Sequence, residues 1–139
     1  MRDDFDFKTK ETLAKRVGYR CSNSDCNKLT SGPRSDPEKV LNIGVAAHIT
    51  AASEGGPRYD PSLTPKQRRS IDNGIWLFQN CAKLVDNDVG RYTVEVLREW
   101  KRRAEEAALR EVEGIGYLPG AETPPPVDRQ MPSALPRPG

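Results

Sequence analysis

Apolar residues recur at helical spacing in two stretches of this chain and at strand-like spacing in two others. The longest helical stretch runs from Thr93 to about Val112, with Val96, Leu97, Trp100, Ala104, Ala107 and Ala108 on one face and Thr93 as its cap. A shorter helix is predicted over Thr9–Val17, with Thr9 as cap, Leu13 and Val17 inward and Gly18 as stop. Asn42 to Thr50 is apolar and β-branched at intervals and predicts a first strand. Ile75–Phe78 predicts a second, fed by a turn at Asn73-Gly74. A brief helix should begin at Asn80 or Cys81 and end near Asp86-Asn87-Asp88, and Thr64-Pro65 should open another, since proline is preorganised for the first helical position. Cys21 to Pro37 is rich in Ser, Asn, Asp, Gly and Pro and reads as loop, as does Ala51 to Ser62.

The expected class is α+β over residues 1–113, two strands and a helix flanked by an N-terminal helix and a long C-terminal one. From Gly114 the periodicity stops, and Pro119, Pro124 to Pro126, Pro132, Pro136 and Pro138 predict an extended, disordered tail or linker over 114–139. A linker to a further domain and a docking segment for a partner both remain open for it.

Composition narrows the classes. With 139 residues, 35% of them apolar, one domain with a small core is expected, and a metal clip would help it. No stretch approaches the roughly eighteen apolar residues of a membrane span, and Met1-Arg2-Asp3-Asp4-Phe5 does not read as a signal peptide, so a cytoplasmic protein without membrane contact is expected. Three cysteines is an odd count, which argues against a disulfide framework. A net charge of +2 does not by itself diagnose nucleic-acid binding. Arg98, Lys101, Arg102 and Arg103 are matched by Glu95, Glu99, Glu105 and Glu106, which favours a solvated helix face. Arg58, Lys66, Arg68 and Arg69 have fewer acidic neighbours and are candidates to hold phosphates.

His48 is the single histidine, set among small residues in Val45-Ala46-Ala47-His48-Ile49. On position alone it reads as a core or turn residue. It can also serve as a base near neutral pH, with Asn73 to hold its ring and the carboxylate of Asp86 to fix a divalent cation. What shifts the balance is the surrounding text: Gly18-Tyr19-Arg20-Cys21, Cys26, Asn42 through Ala52, Gly55-Gly56-Pro57-Arg58-Tyr59-Asp60, Arg68 through Leu77, and Asn80 through Asp88. In the order of these pieces, over roughly residues 12 to 105, the chain resembles the HNH endonuclease family, in particular the small HNH domains of bacterial antiphage effectors.

The resemblance implies a ββα-metal hairpin-plus-helix core and a metal-dependent endonuclease acting on DNA. It gives His48 the role of general base, Asn73 that of orienting its ring with help from a backbone carbonyl, and Asp86 that of ligand to Mg2+ or another divalent cation. It also implies a structural Zn2+ held by Cys21, Cys26 and Cys81, and a place in phage defence with a sensor or effector partner reached through the tail. The chain departs from the family at three positions. Ala47 stands where many members have an acidic residue, Ala82 where many have a histidine, and Phe78 where the second pair of cysteines would begin. Water or Asp25 would then complete the zinc shell, and buried thiols packed beside Phe78 are the alternative. For Asp86 the alternative is a carboxylate making an ordinary turn contact. A catalytically inactive HNH-like module that binds DNA or a partner, and a small zinc-stabilised scaffold, are the competing functions.

Overall fold

A computed structural model describes residues 2–114, so the tail expected over 114–139 lies, apart from Gly114, outside the described residues. Four helices and four strands follow one another as α1 (Phe7–Arg16), β1 (Ser31–Pro33), β2 (Val40–Asn42), β3 (Gly44–His48), α2 (Pro65–Arg68), β4 (Gly74–Phe78), α3 (Gln79–Asn87) and α4 (Val94–Val112), with a 3-10 turn at Ile71–Asn73 before β4. The class is α+β. Two antiparallel pairs, β1–β2 and β3–β4, are the sheets.

The β3–β4 pair positions everything else. Its register sets Gly44 against Phe78, Ala46 against Trp76 and His48 against Gly74 on one face, and Val45 against Leu77 and Ala47 against Ile75 on the other. The face of Ala46 and Trp76 meets Ala14 of α1 and Val17, which follows it. The opposite face sends Ile75 and Leu77 into a core with Val85 of α3 and Leu97 of α4, each of these four side chains wholly removed from solvent. Small residues on β3 are what let a tryptophan lie across the strand. A Cβ at Gly44 would stand 2.5 Å from the Trp76 ring, and the indole N–H is fixed by donating to the Thr30 hydroxyl at 2.9 Å.

Several boundaries differ from expectation for identifiable reasons. Helix α1 begins at Phe7 because Asp6, not Thr9, is its cap, the carboxylate accepting from the Thr9 N–H at 2.7 Å. The expected strand over 42–50 is two strands that change partner at Ile43. Its N–H donates to the Thr30 carbonyl, its carbonyl accepts from Gln79, and the Asn42 side chain takes the Gly44 N–H. β1 lies inside the stretch read as loop, since its pairing with β2 owes nothing to the propensities of Ser31-Gly32-Pro33. Thr64 opens α2 with a full capping box, and Thr93 caps α4. The apolar stripe of α4 holds at Leu97 and weakens toward its end, where Ala107 is exposed. On its outer face Glu99 pairs with Arg102 and Arg103, whereas Glu105 takes a two-pronged contact from Arg16 that ties α4 to α1. Among the described residues no helix is long and apolar enough to cross a membrane.

Candidate functional site

His48 ends β3, half-buried, and its ring is held from the N-terminal segment. Its Nε2 lies 2.9 Å from the Asp3 carbonyl oxygen. A carbonyl only accepts, so Nε2 carries the proton and the lone pair of the neutral ring is on Nδ1. The Phe5 ring stacks on the imidazole at 3.9 Å with 9° between the planes. Burial lowers the pKa of His48 from its ordinary value, opposed by the Asp3 hydrogen bond. The ring is therefore neutral at pH 7.

Asn73 makes no hydrogen bond to that ring among the described residues. Its side-chain oxygen accepts from both the N–H and the hydroxyl of Thr50 at 3.0 Å. Its amide nitrogen donates to the carbonyls of Thr50 at 3.0 Å and Arg68 at 3.1 Å. Since His48 is paired with Gly74, residue 73 sits one step outside the ladder and its side chain secures the loop leaving β3. The contacts on the ring come instead from the Asp3 carbonyl, as the backbone carbonyl expected beside Asn73, and from Phe5. Gly74 follows because α1 leaves no room for more, a Cβ there lying 2.5 Å from Leu13. Lys101 of α4 completes this corner, its ammonium donating to the carbonyls of Ile71 at 2.6 Å and Gly74 at 2.7 Å. Desolvation lowers its pKa.

Asp86 is paired with Arg58 at 2.9 Å, the guanidinium side chain 5% exposed and the carboxylate 48%. Arg58 also donates to the carbonyls of Ile49, Val85 and Tyr92, and so binds the residue after His48 to the C-terminal part of α3. Every arm of that guanidinium is engaged within the fold, which leaves it no free edge for a phosphate. Arg68 is likewise internal. It pairs with Asp3 at 2.9 Å and donates to the carbonyls of Asp60 and Leu63. Of the four cations singled out as phosphate contacts, Lys66 and Arg69 are on the surface, and Arg69 makes a longer contact of 3.4 Å to Asp3.

At the other end of β4 the three cysteines converge, their sulfurs all within 4.8 Å of one another. The loop from Cys21 to Cys26 turns on Asn23, whose carbonyl accepts from the N–H groups of Cys26 and Asn27. Asn27 takes a left-handed conformation at φ 51°. Cys81 joins from the first turn of α3, with the Asn23 amide 3.6 Å from its sulfur. Burial pushes the Cys21 thiol up to about 12 and raises Cys81 as well, so a bound cation would have to displace protons to gain these ligands. Such a cluster can hold a metal such as zinc. Among the described residues no carboxylate or imidazole joins it, Asp25 included. Phe78 packs against the core that contains Cys21 and Cys81, beneath the Lys28 ammonium, which stands 4.8 Å from the ring centre.

Asp3 and Phe5 were not legible as site residues, because the first six residues carry neither periodicity nor motif. Nothing in the sequence distinguished Asn23 or Lys101 from ordinary polar positions. No family model matches the chain, and no curated protein does so either.

Proposed function

We propose that this protein is an HNH-type endonuclease that hydrolyses DNA phosphodiester bonds, with Nδ1 of His48 as the general base. One observation carries the reading. The only histidine lies at the end of the first strand of an antiparallel pair whose second strand runs directly into a helix, and its Nε2 is committed to a carbonyl, leaving Nδ1 basic. That strand–strand–helix order is what the resemblance to HNH domains implies. Nδ1 takes a proton from water as the oxygen attacks phosphorus and the bond from phosphorus to the leaving oxygen breaks. Lys66 and Arg69 are the surface cations left to hold flanking phosphates. The suggested place in phage defence and a partner bound through the tail rest on the resemblance alone.

The two implied metals fare differently. A structural zinc fits Cys21, Cys26 and Cys81, with water as the fourth ligand where the family has a cysteine and this chain has Phe78. A divalent cation at the reacting phosphate would stabilise developing charge. The described residues do not build a site for it: Asp86 is held by Arg58, Ala47 and Ala82 offer no donor, and the cysteines are the one group of three among the described residues that could hold a metal ion. The same features favour a second reading, an HNH-like module that binds DNA or a partner without cutting.

The experiment is incubation of purified protein with supercoiled plasmid and Mg2+, Mn2+ or Ni2+. Nicking that falls by roughly 10²–10⁴-fold in His48→Ala is the expected result. Salt-sensitive DNA binding without nicking under any metal would replace the first reading with the second.

A further inference from the structure

His48 is gripped from outside its hairpin by one short segment, residues 2–6. The Asp3 carbonyl accepts a hydrogen bond from Nε2–H, and the Phe5 ring covers one face of the imidazole. Phe5 is itself 5% exposed and lies over Gly74, where a Cβ would come within 3.0 Å of its ring. The arm is latched at Asp3. Its N–H donates to the Ala52 carbonyl at 3.0 Å, and its carboxylate bridges Arg68 and Arg69. Arg68 makes a rigid anchor, since the carbonyls of Asp60 and Leu63 hold the rest of its guanidinium.

We propose that this N-terminal arm is a positioning element of the catalytic centre: Asp3 and Phe5 hold the His48 ring in one orientation and one tautomer, with Nδ1 as its only basic atom. The catalytic consequence rests on the nuclease reading; the hold on the ring does not. An imidazole stacked on one face and tied at Nε2 cannot flip without breaking both contacts, so the base is set before substrate arrives. The charged groups around it belong to the same arm. Arg2 disfavours the imidazolium and Asp4 and Asp3 favour it, while burial outweighs them and keeps the ring neutral. Arg68 and Arg69 act on the ring through the Asp3 carboxylate that they neutralise. Release of the arm would expose the ring, free Nε2 and return the titration toward the ordinary value.

A single histidine makes the test direct, because the ring nitrogens give one set of NMR signals. Long-range proton–nitrogen spectra of the full chain are compared across pH with those of a variant lacking residues 2–4. The full chain is expected to show the Nε2–H tautomer alone and to titrate below about 6.5. The deletion is expected to average between tautomers and to titrate closer to that value. A proton on Nδ1 in the full chain, or a deletion that leaves tautomer and midpoint unchanged, would overturn the proposal. Should the deletion fail to fold, Asp3→Ala is expected to let the ring average between tautomers and Asp3→Glu to restore the Nε2–H form, and an unchanged tautomer in Asp3→Ala overturns it equally. Plasmid cleavage run alongside should fall roughly 10–100-fold without the arm, with the acid limb of its pH profile shifted upward. If the full chain does not cleave at all, the nuclease reading fails and the spectra alone decide what the arm does.

Discussion

The two ends of β4 are built on opposite plans. At the Gly74 end, Asn73 satisfies all its hydrogen-bonding groups, Lys101 caps two carbonyls, and Arg58 and Arg68 are each enclosed by carbonyls and a carboxylate. At the Phe78 end, three thiols face one another without a fourth ligand among the described residues, and the Ser22 hydroxyl is buried without a partner. The first end is complete as protein and should hold its geometry unaided. The second is complete as packing, and its three thiols could hold a metal ion.

The largest effect on folding is expected at the closed end. Asn73→Ala would strip the Thr50 N–H and hydroxyl and two carbonyls of their partners in a buried corner, a loss of about 2–4 kcal/mol. Chemical denaturation measures it. A loss below about 1 kcal/mol would mean that water replaces the amide and that the corner is not closed.

The open end should respond to metal instead. Purified protein is expected to carry about one equivalent of zinc and to melt at a lower temperature after chelation. Phe78→Cys sharpens the contrast. Without metal it should lower stability by about 1–3 kcal/mol through loss of a partly buried ring, and with zinc it should raise both retention and melting temperature. Zinc absent from both proteins would make Phe78 core packing and the cysteines plain buried thiols.

A smaller effect is expected at Asp86. Asp86→Asn weakens the pairing of a buried guanidinium that keeps three carbonyl acceptors, and the carboxylate is half exposed, so the loss is about 1 kcal/mol. Unchanged stability together with a raised metal requirement for cleavage would make Asp86 a cation ligand, contrary to its pairing with Arg58.

Elements set by local rules could be read from the sequence. Thr93 with the start of the α4 stripe, and Thr64-Pro65, each carry their own signal in a few residues. The turn expected at Asn73-Gly74 instead lies one step earlier, at Ile71–Asn73, with Gly74 already extended in β4. The convergence of Cys21, Cys26 and Cys81 followed from the family resemblance, not from spacing alone. What escaped reading depends on contacts distant in sequence. β1 is a strand only because β2 lies beside it, and Asp3 reaches His48 across 45 residues. Arg58 and Arg68 looked like surface cations because nothing local shows that carbonyls from other elements enclose them. Asn73 was expected on the His48 ring, but the register that pairs His48 with Gly74 turns its side chain toward Thr50.

Burial also fixes the sign of the pH response. A histidine whose folded pKa is depressed stabilises the fold fully above its unfolded value near 6.5, and that contribution declines as pH falls toward the folded pKa. The base form of His48 persists to the same lower pH. The most direct test of the central claim is therefore the rate of plasmid cleavage measured from about pH 5 to 8 for the wild-type chain and for His48→Ala. The account predicts a wild-type rate that falls on the acid side with a midpoint below about 6.5, and no corresponding limb in the variant. A variant that cuts within a few-fold of wild type, or a wild-type rate that ignores pH across this range, would contradict it.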